Sequence, residues 1–233
     1  MPKRDYKQFC PAARALNVVG ERWTLLIVRD LLLSPRRYSD LRRSLPGMAS
    51  NLLAIRLTEM EEAGLIVKAR VEHPSPRDLY SLTERGRELE PTLLELAKFG
   101  FPFLDMPTDE QPMVAERVPL GLRAMMHEAE LPEDGLRIRF LMTEGDYLVT
   151  IAAQGRPGDR RLPSERVSVA EIADGAAPRP DVVVRGSIVG LVWIRQGLLD
   201  LETATTDGLL SFEGTDDALR DVRFLYRLGA TAA

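Results

Sequence analysis

The strongest constraint on the fold is a proline-rich segment near the middle of the chain. Between Phe101 and Pro119 the sequence has prolines at positions 102, 107, 112 and 119. Proline lacks a backbone donor and clashes with the preceding helical turn, so no continuous helix can cross this segment. The chain has 233 residues, which is long for one domain. We therefore expect a linker at 105–119 between a first domain at 1–104 and a second at 120–233.

Composition narrows the class of protein. The chain is 45% hydrophobic and 28% charged, which is typical of a globular protein and excludes a disordered one. Its longest apolar stretch, Leu25–Leu33, contains two charges and is too short to span a bilayer, and the N-terminus lacks the apolar core of a signal peptide. A single cysteine and two histidines argue against a disulfide framework and a zinc site. We expect a cytoplasmic protein with no metal, no cofactor and no membrane contact.

The charge is distributed unevenly along the chain. Residues 1–100 contain 17 Lys and Arg against 13 Asp and Glu, a net charge of +4, whereas residues 101–233 contain 14 against 22, a net charge of −8. Such asymmetry is typical of a chain in which one part meets a polyanion, but bulk charge is weak evidence for it. The position of the basic residues is therefore more informative than their sum.

The first half is predicted to contain helices followed by one hairpin. Apolar periodicity and stop signals predict helices at Ala12–Val19, Trp23–Leu33, Tyr38–Leu45 and Ser50–Ala63, and strands at Leu65–Val71 and Leu79–Leu82 joined by a proline-stiffened loop at 73–78. A last helix, capped by Thr83, is expected to continue to Phe99. The turn at Pro46 and Gly47 makes the third and fourth helices a helix-turn-helix, for which the hairpin would be a wing.

The helix-turn-helix contains the candidate DNA contacts. In such a unit the second helix enters the major groove, its first residues reach base edges, and an Asn there can pair with adenine. Arginines around it are candidates for phosphate contacts, with Arg77 at the tip of the wing loop. The predicted DNA-binding residues are Arg36, Arg37, Ser39, Arg42, Ser50, Asn51, Arg56 and Arg77. The alternative is a helical hairpin whose arginines only face solvent.

A series of short motifs between residues 9 and 100 supports the first interpretation. They are Phe9-Cys-Pro11, Val19-Gly-Glu-Arg-Trp-Thr-Leu-Leu-Ile27, Arg37-Tyr-Ser-Asp-Leu41, Leu45-Pro-Gly47, Arg56-Leu57, Glu61-Glu-Ala-Gly-Leu65 and Tyr80-Ser-Leu-Thr-Glu-Arg-Gly86. In order and spacing they resemble the HxlR-type family of winged-helix transcriptional regulators, relatives of the MarR group. The resemblance implies a homodimer, formed by the first helix and the helix after the wing, that binds double-stranded DNA. Such a dimer would recognise an inverted repeat with half-sites roughly 10 bp apart.

The chain departs from this family pattern in its recognition helix. The family typically has Ser or Thr and a Lys at the positions of Ala49 and Asn51. The operator sequence is therefore left open.

Cys10 is a candidate for redox control. It directly precedes Pro11 at a helix N-terminus, a position that can make a thiol reactive. Members of the HxlR-type family resemble this chain in having a cysteine here, and some use it to sense oxidants or electrophiles. Without a second cysteine in the chain, only a bridge between two copies or an adduct could form. The alternative is that Cys10 is a small buried hydrophobe.

The second half is predicted to be α+β. Its expected helices are Leu120–Glu130, Ile188–Gln196 and Ala218–Leu228, and its expected strands are Leu136–Met142, Tyr147–Ala152, Val182–Val184 and Leu209–Phe212, with a hairpin turn at Gly145 and Asp146. From Asp181 onward the order of elements resembles the sterol-carrier-protein type fold. The motifs that carry this resemblance are Gln196-Gly-Leu-Leu-Asp200 and Leu210-Ser-Phe-Glu-Gly214. That fold is a small α+β domain with a hydrophobic tunnel.

This second resemblance implies that an apolar small molecule binds the domain as an effector. The predicted pocket residues are Phe140, Val149, Ile151, Val184, Leu191, Trp193, Leu210, Phe212 and Phe224. The alternative is an ordinary hydrophobic core in a domain with a structural or dimer-supporting role.

No catalytic motif stands out in the sequence. Gly186-Ser-Ile-Val-Gly190 lacks the spacing of a nucleophile elbow, and neither histidine has an evident catalytic partner. We therefore predict a non-enzymatic α+β protein, an N-terminal winged helix-turn-helix domain followed by a small α+β domain, that acts as a DNA-binding transcriptional repressor. The competing interpretation is a lipid-binding carrier whose helical domain makes only protein contacts.

Overall fold

The computed structural model describes residues 5–72, 76–105, 107–111, 113–127, 131–154, 166–172 and 178–229. The chain divides into two compact units, Met1–Leu93 and Leu94–Ala233. The predicted linker at 105–119 therefore lies inside the second unit, and the division falls earlier, within the helix that follows the wing.

The first unit combines helices with a two-stranded hairpin. Its helices are α1 (Pro11–Val19), α2 (Thr24–Leu33), α3 (Tyr38–Ser44), α4 (Ser50–Glu62) and α5 (Glu84–Arg87), and its antiparallel strands are β1 (Ile66–Val71) and β2 (Arg77–Leu82). The next helix, α6 (Glu90–Gly100), passes into the second unit. The four helices predicted before the wing are confirmed with ends that differ by one residue or less.

The continuous helix predicted from Thr83 to Phe99 is wrong. The chain leaves α5 after Arg87 and begins α6 at Glu90, with Pro91 in the first turn of the new helix. Proline suits that turn, where its missing N–H has no helical partner, but inside a longer helix it would clash with the carbonyl four residues earlier. Pro91 therefore separates the segment that closes the wing from the helix that leads into the second unit.

The core of the first unit fixes the orientation of α4. Leu53, Leu57 and Met60 are buried at the spacing that the sequence predicts. They pack in one cluster with residues of α2, α3 and the wing, namely Ile27, Val28, Leu31, Leu41, Leu45, Met48, Leu65, Ile66 and Leu82. Burial of each such side chain contributes about 1.5–3 kcal/mol. Because one face of α4 is fixed in this core, the opposite face is presented to solvent.

The second unit is a five-stranded sheet with helices, and it has the expected α+β character. Its elements are α7 (Val118–Met125), β3 (Leu136–Met142), β4 (Gly145–Ile151), β5 (Val167–Glu171), β6 (Val182–Gly186), α8 (Ile188–Gln196), α9 (Leu201–Thr206), β7 (Ser211–Gly214) and α10 (Asp216–Tyr226). The strand order is β5-β4-β3-β6-β7. β3 and β6 are parallel, and the other neighbouring strands are antiparallel.

Several details of the second unit differ from the sequence predictions. The hairpin turn lies at Thr143 and Glu144, because Met142 already pairs with Gly145, and not at Gly145 and Asp146. β5 and α9 were not predicted. The helix predicted at Leu120–Glu130 begins earlier, as α7, and residues 128–130 lie outside the described part of the chain.

The segment after α6 belongs to the second unit because it packs there. Phe101–Phe103 form a short 3-10 turn, and Phe101 packs against the hydrophobic core of this unit. Gln196 at the end of α8 donates a side-chain hydrogen bond to the carbonyl of Phe101 at 2.5 Å. These contacts place the start of the proline-rich segment on α8.

Candidate nucleic-acid interface

The turn between α3 and α4 is closed by backbone geometry and one tyrosine. Gly47 has a φ of +83°, the left-handed conformation that glycine adopts without strain. The Tyr38 hydroxyl at the start of α3 donates a hydrogen bond of 2.6 Å to the carbonyl of Ser50 at the start of α4. The two helix starts are thereby held together, as a helix-turn-helix requires.

A buried carboxylate joins α2 to α3. Asp30 is only 2% exposed, and it accepts hydrogen bonds from Nε of Arg29 at 2.8 Å and from the Ser44 hydroxyl at 2.6 Å. A buried charge is tolerated only when it is paired in this way. Sequence reasoning missed this role, although an acidic residue inside an otherwise apolar helix was the available signal. Asp30 therefore holds α2 against α3, the first helix of the helix-turn-helix.

The exposed face of α4 is the surface that could meet DNA bases. Asn51, Ala54, Ile55 and Thr58 are exposed, and their spacing of three and four residues places them on one side of the helix. Ile55 is 53% exposed, which is unusual for a large aliphatic side chain in the middle of a helix. The Asn51 side-chain oxygen accepts a hydrogen bond from the backbone N–H of Leu52 at 2.9 Å.

Sequence reasoning identified Asn51 on this face and missed the other three residues. The signal was present, because the spacing of Leu53, Leu57 and Met60 assigns one side of α4 to the core and a helix turns 100° per residue. Residues on the opposite side follow from that assignment.

Arg56 has a different position from the one predicted. Its side chain is only 10% exposed, and Nη1 lies 2.5 Å from a carboxylate oxygen of Glu59 while Nη2 lies 3.4 Å from one of Glu21. Glu21 precedes α2, so Arg56 connects α4 to a segment 35 residues away. With two carboxylates already in contact, this guanidinium anchors α4 and does not face solvent as a phosphate contact must.

The other predicted DNA-binding residues differ in exposure. Arg37, Ser39, Arg42 and Ser50 are exposed near the starts of α3 and α4 or on α3 itself. Arg36 is half-buried, and its backbone pairs with that of Tyr80 in β2, which ties the segment before α3 to the wing. The structure therefore places exposed basic side chains on and before α3, near the start of α4 and its exposed face.

The wing is a regular antiparallel hairpin. Lys68 in β1 pairs with Asp78 in β2 at 2.9 Å and lies over the Tyr80 ring. This hydrogen bond lowers the pKa of the Asp78 carboxyl and raises the pKa of the Lys68 ammonium from their ordinary values. Arg77, predicted at the tip of the loop, is instead the half-buried first residue of β2, and residues 73–75 of the predicted loop lie outside the described residues.

Thr83 and Gly86 lock the base of the wing. As predicted, Thr83 caps α5, since its hydroxyl oxygen accepts a hydrogen bond from the backbone N–H of Gly86 at 3.0 Å. The same hydroxyl donates to the carbonyl of Gly64 at 2.7 Å. A β-carbon at Gly86 would lie 2.1 Å from the carbonyl oxygen of Leu65. Only glycine therefore allows α5 to approach the start of β1 this closely.

Cys10 lies at the N-terminus of α1, as predicted. It is the residue before the first helical turn, its side chain makes no capping hydrogen bond, and it is half-buried. Its thiol is therefore partly accessible in a single copy of the chain.

The residues predicted to line a pocket lie mainly in the core of the second unit. Those that are buried in this one cluster are Phe140, Val149, Ile151, Val184, Leu191 and Leu210, while Trp193 and Phe212 are half-buried. Phe224 is 61% exposed on the outer side of α10, because Leu225 and Tyr226 occupy the inner side. Phe224 is therefore not positioned to line an internal pocket.

Membrane spans and metal clusters are both absent from the described part of the chain. No helix there is long and apolar enough to cross a membrane. Nor do three or more of its His, Cys, Asp and Glu side chains gather where they could hold a metal ion.

An α3–turn–α4 unit with an exposed face, followed by a paired hairpin, defines a winged helix-turn-helix protein. Residues 18–109 match the model of the HxlR-like helix-turn-helix family. The HTH-type transcriptional regulator sll1512 of Synechocystis is 34% identical over 101 residues, which are 43% of this chain and 75% of the relative. YvaP, an HTH-type transcriptional regulator of Bacillus subtilis, is 32% identical over 102 residues, 43% of this chain and 94% of YvaP.

A solved structure gives a similar match. A MarR-family transcriptional regulator from Porphyromonas gingivalis W83 is 33% identical and aligns with 43% of this chain and 99% of its own, at a TM-score of 0.40. From the sequence relatives, the chain belongs to the HxlR family of helix-turn-helix transcriptional regulators. The family match ends at residue 109, so the resemblance of residues 120–233 to the sterol-carrier-protein type fold stays a prediction.

Proposed function

We propose that the chain is a homodimeric repressor that binds an inverted-repeat operator in double-stranded DNA. The observation that carries the proposal is the exposed face of α4, formed by Asn51, Ala54, Ile55 and Thr58. This face is uncharged, it is held outward by a buried core on the other side of the helix, and it begins beside exposed basic residues. A recognition helix in the major groove needs this combination.

The chemistry of this face favours A·T base pairs. An Asn side chain can form two hydrogen bonds with adenine, and small or aliphatic side chains make apolar contact with the thymine methyl group. Asn51 would supply the first contact, and Ala54 and Ile55 the second. We expect each operator half-site to contain A·T pairs at the positions that these residues reach.

Phosphate contacts would hold the helix in register. Arg37 and Arg42 are the exposed candidates on α3, and the N-terminal N–H groups of α4 add a site that attracts a phosphate. Such contacts contribute affinity without sequence preference.

Support for the homodimer comes from exposed apolar residues on the two helices that the family resemblance assigns to dimerisation. Leu16 and Val18 are exposed on α1, and Leu96 and Phe99 are exposed on α6. Each of these helices therefore presents large apolar side chains to solvent, which a second copy of the chain could cover. A twofold dimer presents two α4 helices, which accounts for an inverted-repeat operator.

The test is a titration of the chain's own upstream DNA by fluorescence anisotropy at several salt concentrations. Counterion release predicts that the logarithm of the binding constant falls linearly with the logarithm of salt, with a slope of about −0.9 for each phosphate contacted. A dimer with about three contacts in each half would give a slope near −5. Binding that does not depend on salt, or no binding, would contradict the proposal and favour a lipid-binding carrier.

We further propose that the second unit controls DNA binding through an apolar small molecule. A ligand can do so only if it binds the DNA-binding and DNA-free states with different affinity. Native mass spectrometry of the purified chain tests this role, first for a co-purified ligand and then with a panel of fatty acids and polyaromatic compounds. If nothing binds, the unit has a structural or dimer-supporting role.

Oxidation or alkylation of Cys10 is a second candidate for control. Its support is the partly accessible position of the thiol at the start of α1, beside a proposed dimer helix. In that case Cys10→Ser should bind DNA as the wild type does but no longer be released by an oxidant. Oxidant-induced release that persists in Cys10→Ser would exclude this candidate.

A further inference from the structure

Two arginines meet at the C-terminal end of α10. Arg195, in the last turn of α8, donates a hydrogen bond of 3.5 Å to the carbonyl of Tyr226. Its guanidinium carbon lies 5.8 Å from the centre of the Phe101 ring. Arg227, directly after α10, donates to Nε2 of His127. Arg195 thus contacts the last residue of α10, Arg227 follows that residue directly, and the two charges are close enough to affect each other.

No carboxylate of the described residues lies within ion-pair distance of Arg195 or Arg227. Other arginines of the same unit are paired, such as Arg139 with Asp146 at 2.6 Å and Arg220 with Asp217 at 3.0 Å. Arg195 is also half-buried. Burial, and then the positive charge of Arg227, lower the pKa of the Arg195 guanidinium from its ordinary value. Arginine side chains are mostly exposed, and those removed from solvent are usually paired.

The end of α10 cannot supply the missing negative charge. The C-terminus of a helix carries roughly half an elementary charge, whereas Arg195 and Arg227 carry two positive charges between them. Among the described residues, positive charge of about one and a half units is therefore left without a compensating carboxylate.

The backbone at Arg227 also points to a role for its side chain. Arg227 has a φ of +51°, the left-handed conformation in which helices usually end with glycine. An arginine here is strained where a glycine would not be.

We propose that Arg195 and Arg227 bind the oxyanion of a small molecule, a carboxylate or a phosphate group. A guanidinium fork donates two parallel hydrogen bonds to either group, and two forks can hold one oxyanion from two sides. The net charge of −8 in residues 101–233 repels a polyanion, so a small anion fits this position better than the DNA backbone does. The proposal does not depend on DNA binding, and its failure would leave the proposed function unchanged.

Isothermal titration of the full chain, at constant ionic strength set with chloride, tests the site. The probes are inorganic phosphate and octanoate. Arg227→Gly removes one guanidinium and suits the left-handed backbone, so it should keep or raise the thermal unfolding midpoint. Arg195→Gln removes the other. Arg220→Gln, on α10 and exposed, is the matched control because it also removes one positive charge.

We expect the wild type and Arg220→Gln to bind at least one probe with equal affinity, and Arg227→Gly and Arg195→Gln to bind it at least about tenfold more weakly, as loss of a charge-assisted hydrogen bond predicts. Binding of phosphate alone or octanoate alone would support the site and identify its oxyanion.

Equal affinity in Arg227→Gly and Arg220→Gln would overturn the proposal. So would no binding of either probe by the wild type. A loss of DNA affinity in Arg227→Gly without an anion effect would also overturn it.

Discussion

At the scale of single residues, Arg56 and Asn51 show what decides whether a polar side chain on α4 can reach DNA. Both lie on the helix that the sequence assigns to the major groove. Asn51 is exposed, whereas Arg56 is buried against Glu21 and Glu59. The sequence could identify α4 and its first residues from local signals. It could not show the fate of Arg56, because one of its partners lies 35 residues away and becomes a neighbour only when α2 packs on α4.

Replacing Arg56 by methionine should separate anchoring from phosphate contact. The change leaves two carboxylates without their partner, so we expect the free energy of unfolding to fall by about 1–3 kcal/mol in urea titrations. Because Arg56 does not touch a phosphate in this account, the salt slope of DNA binding should stay the same. Arg42→Ala is the comparison, with unchanged stability and a slope that is smaller by about one. A reduced salt slope in Arg56→Met would show that Arg56 does contact a phosphate.

At the scale of elements, local signals predicted most of the first unit. Apolar periodicity, capping residues and the Pro46 and Gly47 turn are properties of neighbouring residues, and α1 to α4 follow from them. Elements that depend on distant partners were missed. β5 has only five residues and is an edge strand defined by its pairing with β4, and α9 is a six-residue helix with one buried residue, Ala204. Neither has a periodic pattern long enough to be recognised.

The close approach of α5 to β1 predicts the effect of a single methyl group. Gly86→Ala would place a β-carbon 2.1 Å from the carbonyl oxygen of Leu65, so the wing base must move, and we expect a loss of about 1–3 kcal/mol in the free energy of unfolding. Gly121→Ala is the matched control. Gly121 lies inside α7 with open space around it, and alanine there should stabilise by up to about 1 kcal/mol. Equal stability of the two variants in thermal or urea unfolding would contradict this reading of the wing.

At the scale of the whole molecule, an inverted-repeat operator requires two copies of the chain. Leu16 is 48% exposed on α1, so Leu16→Glu removes little from the core of one copy but would place two charges in the proposed interface. We expect the wild type to sediment as a dimer and Leu16→Glu as a folded monomer with weaker DNA binding. Circular dichroism should confirm that the variant is folded. A wild-type monomer, or a Leu16→Glu dimer, would contradict the assignment of α1 to dimerisation.

The uneven charge of the chain is consistent with DNA binding by the first unit and a different role for the second. A winged helix needs basic residues only around its DNA-binding surface, and the exposed arginines of α3 meet that need although residues 1–100 have a net charge of only +4. The acidic second half contains instead Arg195 and Arg227, two cations that no carboxylate of the described residues pairs. Sequence patterns could not reveal this pair, because the ends of α8 and α10 become neighbours only in the folded unit.

Whether α4 reads DNA can be tested by selecting binding sites from random double-stranded DNA, in parallel with the wild type and with Asn51→Ala. We expect the wild type to enrich an inverted repeat whose half-sites contain A·T pairs and are centred roughly 10 bp apart. Asn51→Ala should lose the preference for one adenine in each half-site, at a cost of about 1–3 kcal/mol for that base, and keep the spacing. An unchanged motif in Asn51→Ala, or no enriched motif with the wild type, would contradict the claim that α4 reads DNA through its exposed face.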